Sequence, residues 1–323
     1  MIQMNVQEYC YTEFDINLVS FLGSGGEGDT LLGIDEHGDQ YVVKLFHHSR
    51  YAQKLVPFLD VKEEYLQKVL LVQILSLEMK YTKETVKYGG IAILEYIEGL
   101  TLDKCYKYLS EYGNVNHAKM ILAFNLMTAY IMLNSNSIYL RDLKASNLIV
   151  KKNLDVKFID HGYICLMNKY DETYCAGPVG TFYLRPHLPS RIMEDHYYDE
   201  GFNTATPLCN ARLQYLPHNE RNKEVEKIFH DIDYWSIIVC LLTIDILSAD
   251  TISAYHVLKT RGLINKNIVE YSHDCHDMSK SLSYDPQDTI LSDNNLIFHK
   301  LYVMYFNGKR LDQLQTELAS MLK

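Results

Sequence analysis

The segment YLRDLKASNLIVKKNLDVKFIDHG, residues 139–162, gathers the side chains best suited to chemistry. Asp142, Lys144 and Asn147 share one short polar loop, and an apolar run then leads to Asp160 and Gly162. If Val156–Ile159 is a buried strand and Leu148–Val150 pairs with it, residues 151–155 form a hairpin connection. Asp142, Asn147 and Asp160 then converge at one edge. A carboxylate to accept a proton, hard oxygen ligands for magnesium and a cation for a moving phosphate are the parts of a phosphoryl-transfer site.

Other elements must hold these groups in place. Residues 17–46 read as three strands: Leu18–Leu22, Thr30–Ile34 and Tyr41–Phe46, with a turn at Glu36–Asp39 around Gly38. The first two are joined by Gly23-Ser24-Gly25-Gly26-Glu27-Gly28. A GxGxxG followed by a helix would indicate a dinucleotide fold. Here a strand follows, which favours a loop laid over phosphates. Gly23, Gly25, Gly26 and Gly28 let the backbone approach phosphate oxygens without a side chain in the way. Lys44 lies on an otherwise apolar strand, an expensive position for a charge unless it is paired.

The helical stretch Val61–Leu75 offers the partner. Glu63 is the first choice, since Leu66 and Leu70 follow on the same side; Glu64 is the second, and solvated glutamates on a charged helix face are the alternative. Ile91–Gly99 reads as a buried strand ending in a glycine turn, and residues His117–Leu133 as a long apolar-periodic helix. Asp233 opens an apolar helix running to Leu247. Residues Ser253–Lys323 read as helical, with an acidic, serine-rich interruption at His273–Asn295.

Taken together, these motifs resemble the protein kinase family. LRDLKASN resembles its catalytic loop, DHG its magnesium-binding triplet, the glycine run its phosphate-covering loop and YVVK its lysine strand. The resemblance implies an α+β, bilobal kinase-like fold, with a small β-rich lobe over residues 1–98 and a larger helical lobe over 99–323. It implies Asp142 as catalytic base, Lys144 on the γ-phosphate, Lys44 on the α- and β-phosphates paired with Glu63, and Asn147 and Asp160 on Mg²⁺. IAILEYIEG resembles the hinge, with Leu94 behind the adenine of ATP and the backbones of Glu95 and Ile97 bonding the base. Asp103 either reaches the ribose or serves as a helix N-terminal carboxylate. Asp233 corresponds to the aspartate that ties down the catalytic-loop backbone. GTFYLRPH resembles the substrate-docking motif, and phosphate on Thr173 or Tyr174 would pair with Arg141. Leu140, Gln67, His161 and His187 depart from the family pattern, as does one residue missing between Thr181 and Tyr183. Residues 189–230 form an insertion, either a partner surface or a passive loop.

Composition sets the bounds. The chain has 323 residues, 47% of them hydrophobic, and a net charge of -10. That is enough to bury two lobes. The acidic balance argues against a nucleic-acid platform and points to a basic protein substrate. The 26 tyrosines show no short repeat and read as half-buried packing. The first twenty residues lack Lys and Arg and do not resemble a secretory signal, and the longest apolar run, Ile237–Leu242, is too short for a membrane span. A soluble, cytoplasmic protein is expected, and the compact, irregular pattern would also suit a bacterial effector acting inside a host cell. Seven cysteines show neither metal nor disulfide spacing. His273, Cys275 and His276 lack a fourth ligand at zinc spacing.

Two functions from different classes follow. One is an ATP- and Mg²⁺-dependent protein kinase with autophosphorylation, in which Lys144, two residues after Asp142, resembles the Ser/Thr-specific subgroup. The other is a pseudokinase scaffold that binds nucleotide or partner proteins without transfer, suggested by the departures above. A small-molecule or lipid kinase is disfavoured by the glycine loop and Lys144.

Overall fold

A computed structural model describes residues 4–59, 70–78, 88–160, 162, 164–166, 218–251, 253–261, 263 and 287–323. The chain divides into two compact units, Met1–Glu98 with Lys157–Gly162, and Gly99–Val156 with Tyr163–Lys323.

The first unit is built on an antiparallel five-stranded sheet of order β1-β2-β3-β5-β4. The strands are β1 (Asn17–Ser24), β2 (Gly28–Ile34), β3 (Gln40–Phe46), β4 (Ile74–Glu78) and β5 (Gly90–Glu95). The β2–β3 turn forms where the sequence predicts it. The Asp35 carboxylate accepts the N–H groups of His37 and Asp39 at 2.9 Å each, and Gly38 takes φ 87°, a value costly for any other residue.

Alternation along β3 divides the unit's core into two layers. Val43 and Leu45 pack with Leu31, Ile91 and Ile93 against Val6 and Cys10 of an N-terminal helix, α1 (Met4–Phe14), which no sequence motif announces. Phe46 faces the other way, with Ala92, Leu94, Val72 and Ile74, and is covered by Ala52 and Leu55 in and after α2 (Ser49–Gln53). A one-turn α3 (Val56–Leu59) follows. Each fully buried aliphatic side chain in these layers stabilises the unit by about 1.5–3 kcal/mol.

The expected helix over 61–75 cannot reach its predicted end. Residues 60–69 lie outside the described residues, but Leu71 already bridges to Phe158 and β4 begins at Ile74. Ile74 and Leu77 are drawn into the Phe46 layer, and this burial outweighs the helical spacing that the short apolar run also satisfies.

The second unit is mainly helical. Its strands are short: β6 (Leu100–Thr101), β7 (Ile138–Tyr139), β8 (Leu148–Val150) and β10 (Cys165–Leu166), with β9 (Val156–Phe158) crossing the division between units. β6 pairs with β8 and β10 with β7, both antiparallel. After a short α4 (Tyr106–Ser110), α5 (Val115–Ser135) starts at Asn114, whose side chain accepts the His117 N–H at 3.1 Å. It buries Ala118, Leu122, Leu126, Tyr130 and Leu133.

α6 (His218–Ile246) is the long central helix, followed by α7 (Ala254–Thr260), α8 (Gln287–Ser292), α9 (His299–Phe306) and α10 (Leu311–Met321). The Asp245 carboxylate near the end of α6 fixes the approach to α9. It accepts the N–H groups of Ile297 and Phe298 and the Tyr302 hydroxyl at 2.7, 3.2 and 2.7 Å.

Three further expectations change. The central helix starts at His218, so Asp233 lies inside it and not at its head, and residues 218–230 of the supposed insertion are helix; residues 189–217 lie outside the described residues. Glu and Lys are good helix formers, in accord with a helical charged run at Glu220–Lys227. Gln287–Ser292 is helical within the expected interruption, anchored by fully buried Ile290. Cys165 is disulfide-bonded, against the expectation of unpaired thiols, whereas Cys10, Cys105 and Cys240 are free and buried.

Candidate active site

In the first unit, pairing places Lys44 between Thr30 of β2 and Ala92 of β5. Its ammonium lies 5.2 Å from the centre of the Phe46 ring and 3.4 Å from Asp160 Oδ1. Asp160 Oδ1 also accepts the Gly162 N–H at 3.0 Å. Two of the predicted site residues, 116 positions apart, are thus brought together. Glu63 and Glu64 lie outside the described residues. Among the described residues, the second carboxylate on Lys44 is Glu27, whose Oε2 is 3.5 Å from the ammonium.

The glycines of the loop differ in what they do. A Cβ at Gly28 would meet the Leu45 carbonyl oxygen at 2.1 Å, so close β2–β3 packing requires glycine there. At Gly23, Gly25 and Gly26 an added Cβ would meet nothing within 4 Å among the described residues. Packing among the described residues of the unit gives no reason for three glycines.

Leu94 is buried in the Phe46 layer, and Ile97 packs partly buried against it. The Glu95 N–H donates to the Gln73 carbonyl at 2.9 Å. The Glu95 carboxylate receives the Gln73 N–H at 3.2 Å and is paired with Lys157, which is only 1% exposed. Sequence reasoning missed this pair. Its signal was nevertheless present, because Lys157 within VKFI is, like Lys44, a charge on an apolar strand.

In the second unit the backbone at Leu140 and Arg141 is clamped from α6. Asp233, fully buried, accepts the N–H groups of Leu140 and Arg141 at 2.6 Å each. Burial pushes its carboxyl up to about 7, although those two N–H groups and the Arg141 charge oppose the shift. Arg141 adopts φ 62°, a left-handed conformation that costs about 1 kcal/mol or more outside glycine. Its guanidinium lies 4.4 Å from the centre of the Phe229 ring.

The clamp aims the next residues. Asp142 is largely buried, and its Oδ2 receives the Lys144 ammonium at 2.8 Å. The Asn147 amide nitrogen donates to the Asp142 carbonyl at 3.0 Å, with Asp142 Oδ2 at 3.4 Å. This leaves the Asn147 amide oxygen as a hard ligand. Asp103 sits in a 3₁₀ turn, Leu102–Lys104, with Oδ1 buried and without a hydrogen-bond partner among the described residues. Thr173, Tyr174, His161, His187 and the docking motif lie outside the described residues.

A five-stranded sheet carrying a lysine–aspartate pair, joined to a helical unit with a clamped acidic loop, defines a bilobal kinase-like fold. The protein kinase domain family matches residues 16–201, more than half of the chain, and the chain belongs to that family. It is 28% identical over 162 residues to "Sucrose non-fermenting protein kinase 1" of Fusarium virguliforme; the match covers 49% of this chain and 22% of that protein's length. Among the described residues, no helix is long and apolar enough to cross a membrane, and no group of three or more His, Cys, Asp and Glu is poised for a metal.

Proposed function

We propose that this chain is a protein kinase that moves the γ-phosphate of ATP to Ser or Thr hydroxyls of a basic protein substrate and of itself. On this reading residues 1–98 hold the nucleotide and residues 99–323 hold the substrate and the transfer loop. The arrangement that carries it is the Asp233 clamp, with Asp142 presented beside Lys144 and Asn147.

The residues suit the groups they would hold. The open space at Gly23, Gly25 and Gly26 suits phosphates. The Glu95 N–H is spent on Gln73, so its carbonyl is the group to bond adenine, with the Ile97 backbone alongside. The Asp160 carboxylate and the Asn147 amide oxygen are each hard donors of the kind that magnesium takes. When bound, it neutralises charge on the phosphate oxygens.

Asp142 accepts the proton of the substrate hydroxyl as that oxygen bonds to the γ-phosphorus and the bond to the bridging β–γ oxygen breaks, releasing ADP. Lys144 offsets charge on the γ-phosphate, and Lys44 orients the α- and β-phosphates. Leu140 replaces the family's histidine, yet its N–H still reaches Asp233, so this departure does not undo the clamp and weighs against the scaffold reading.

The test is label transfer from ATP with Mg²⁺ to the chain itself and to a generic basic protein. Asp142→Asn is expected to lower transfer by about 10²-fold or more with nucleotide binding intact. Equal transfer by wild type and Asp142→Asn would remove Asp142 as the base.

A further inference from the structure

Glu27 is the single charged residue in a loop otherwise made of glycine and serine, and its carboxylate is divided between two cations. Oε1 receives the Lys54 ammonium at 2.7 Å, and Oε2 lies 3.5 Å from the Lys44 ammonium. The side chain is only 13% exposed. Its place is imposed by the sheet. Gly28 pairs with Phe46, and the Glu27 carbonyl accepts the His47 N–H at 2.9 Å, so the start of β2 delivers the carboxylate to the end of β3. A Cβ on Gly162 would lie 2.5 Å from Glu27 Oε2, so the glycine after Asp160 is what admits the carboxylate. The lysines are positioned as well: Lys44 lies over the Phe46 ring and Lys54 over the Tyr51 ring, each 5.2 Å from the ring centre.

We propose that Lys54 is a second phosphate-binding cation beside Lys44, and that the Glu27 carboxylate stands in for phosphate on this lysine pair until nucleotide displaces it. The inference rests on the reading that the first unit binds ATP. The ammonium groups of Lys44 and Lys54 and the carboxylates of Glu27 and Asp160 lie together in one cluster of ion pairs. Adding a triphosphate to it brings anionic oxygens next to Glu27, and repulsion in a partly buried setting drives the carboxylate out. Both lysines then exchange one carboxylate for phosphate oxygens, which keep charge-assisted hydrogen bonds on each ammonium. Nucleotide must therefore compete with a tethered anion, and affinity is held below what two lysines would otherwise confer.

The experiment is calorimetric titration of the full chain with adenosine, ADP and a non-hydrolysable ATP analogue, with Mg²⁺. The proteins are wild type, Glu27→Gln, Lys54→Gln and the double variant, each checked for a native melting transition. Glu27→Gln keeps the shape and removes the charge. It is expected to bind the ATP analogue about tenfold more tightly than wild type, with adenosine unchanged. Lys54→Gln in the Glu27→Gln background is expected to reverse most of that gain. If Glu27→Gln binds no tighter while wild type binds normally, the inference falls and the nucleotide reading stands. If the double variant equals Glu27→Gln, Lys54 does not touch phosphate and the inference falls. If neither wild type nor any variant binds nucleotide, the nucleotide reading falls and takes the inference with it.

Discussion

At the scale of single residues, the clamp residue Asp233 carries the sharpest pH consequence. Its carboxyl is raised in the fold to about 7, from an unfolded value of about 4, so the folded chain binds this proton more tightly than the unfolded chain does. Stability contributed by the group is therefore complete below about 4 and is lost as the pH rises towards 7. Asp233→Asn cannot titrate. Its stability deficit relative to wild type is expected to shrink by about 2 kcal/mol between about pH 5 and pH 7, read from denaturant unfolding curves. A deficit constant across that range would show that Asp233 is ionised throughout.

At the scale of elements, the glycine loop sets one tightly packed glycine beside three with open space around them. Gly28→Ala drives a methyl into the Leu45 carbonyl and must open the β2–β3 ladder; it is expected to destabilise the chain by about 2 kcal/mol or more in chemical denaturation. Gly25→Ala places its methyl in open space, so stability should stay within about 0.5 kcal/mol of wild type while ATP-analogue affinity falls. A Gly25→Ala variant with unaltered affinity would mean that the loop tip does not meet phosphate. The same logic explains Gly99, where a Cβ would strike Ile149 Cγ2 at 2.4 Å and the Val150 carbonyl at 2.6 Å: the β6–β8 contact requires its absence.

At the scale of the whole molecule, the three free thiols among the described residues report on the two cores. Cys10 lies in the layer beneath α1, and Cys105 and Cys240 are buried in the helical unit. Burial raises Cys10 to about 11 and Cys105 to about 12, and it raises Cys240 as well. Thiolate is the reacting form, so at about pH 8 all three should resist a thiol-specific disulfide reagent in the native chain and react once guanidinium unfolds it. Rapid native labelling of Cys240 would mean that the α6 core opens without global unfolding.

The sequence alone settled what depends on neighbours along the chain. The three strands of residues 17–46, the Gly38 turn, the long α5 helix and the spacing of Asp142, Lys144 and Asn147 are all local patterns that backbone geometry obliges. The tertiary structure decided the pairings between distant residues. Lys44 meets Asp160 across 116 positions, Asp233 reaches Leu140 across 93, and Lys157 pairs with Glu95 across 62. It also decided that residues 74–78 are strand, since burial against a partner layer overrules local periodicity. A buried charge needs an opposite charge, and this rule is legible in the sequence; which residue answers it is fixed only when the chain has folded.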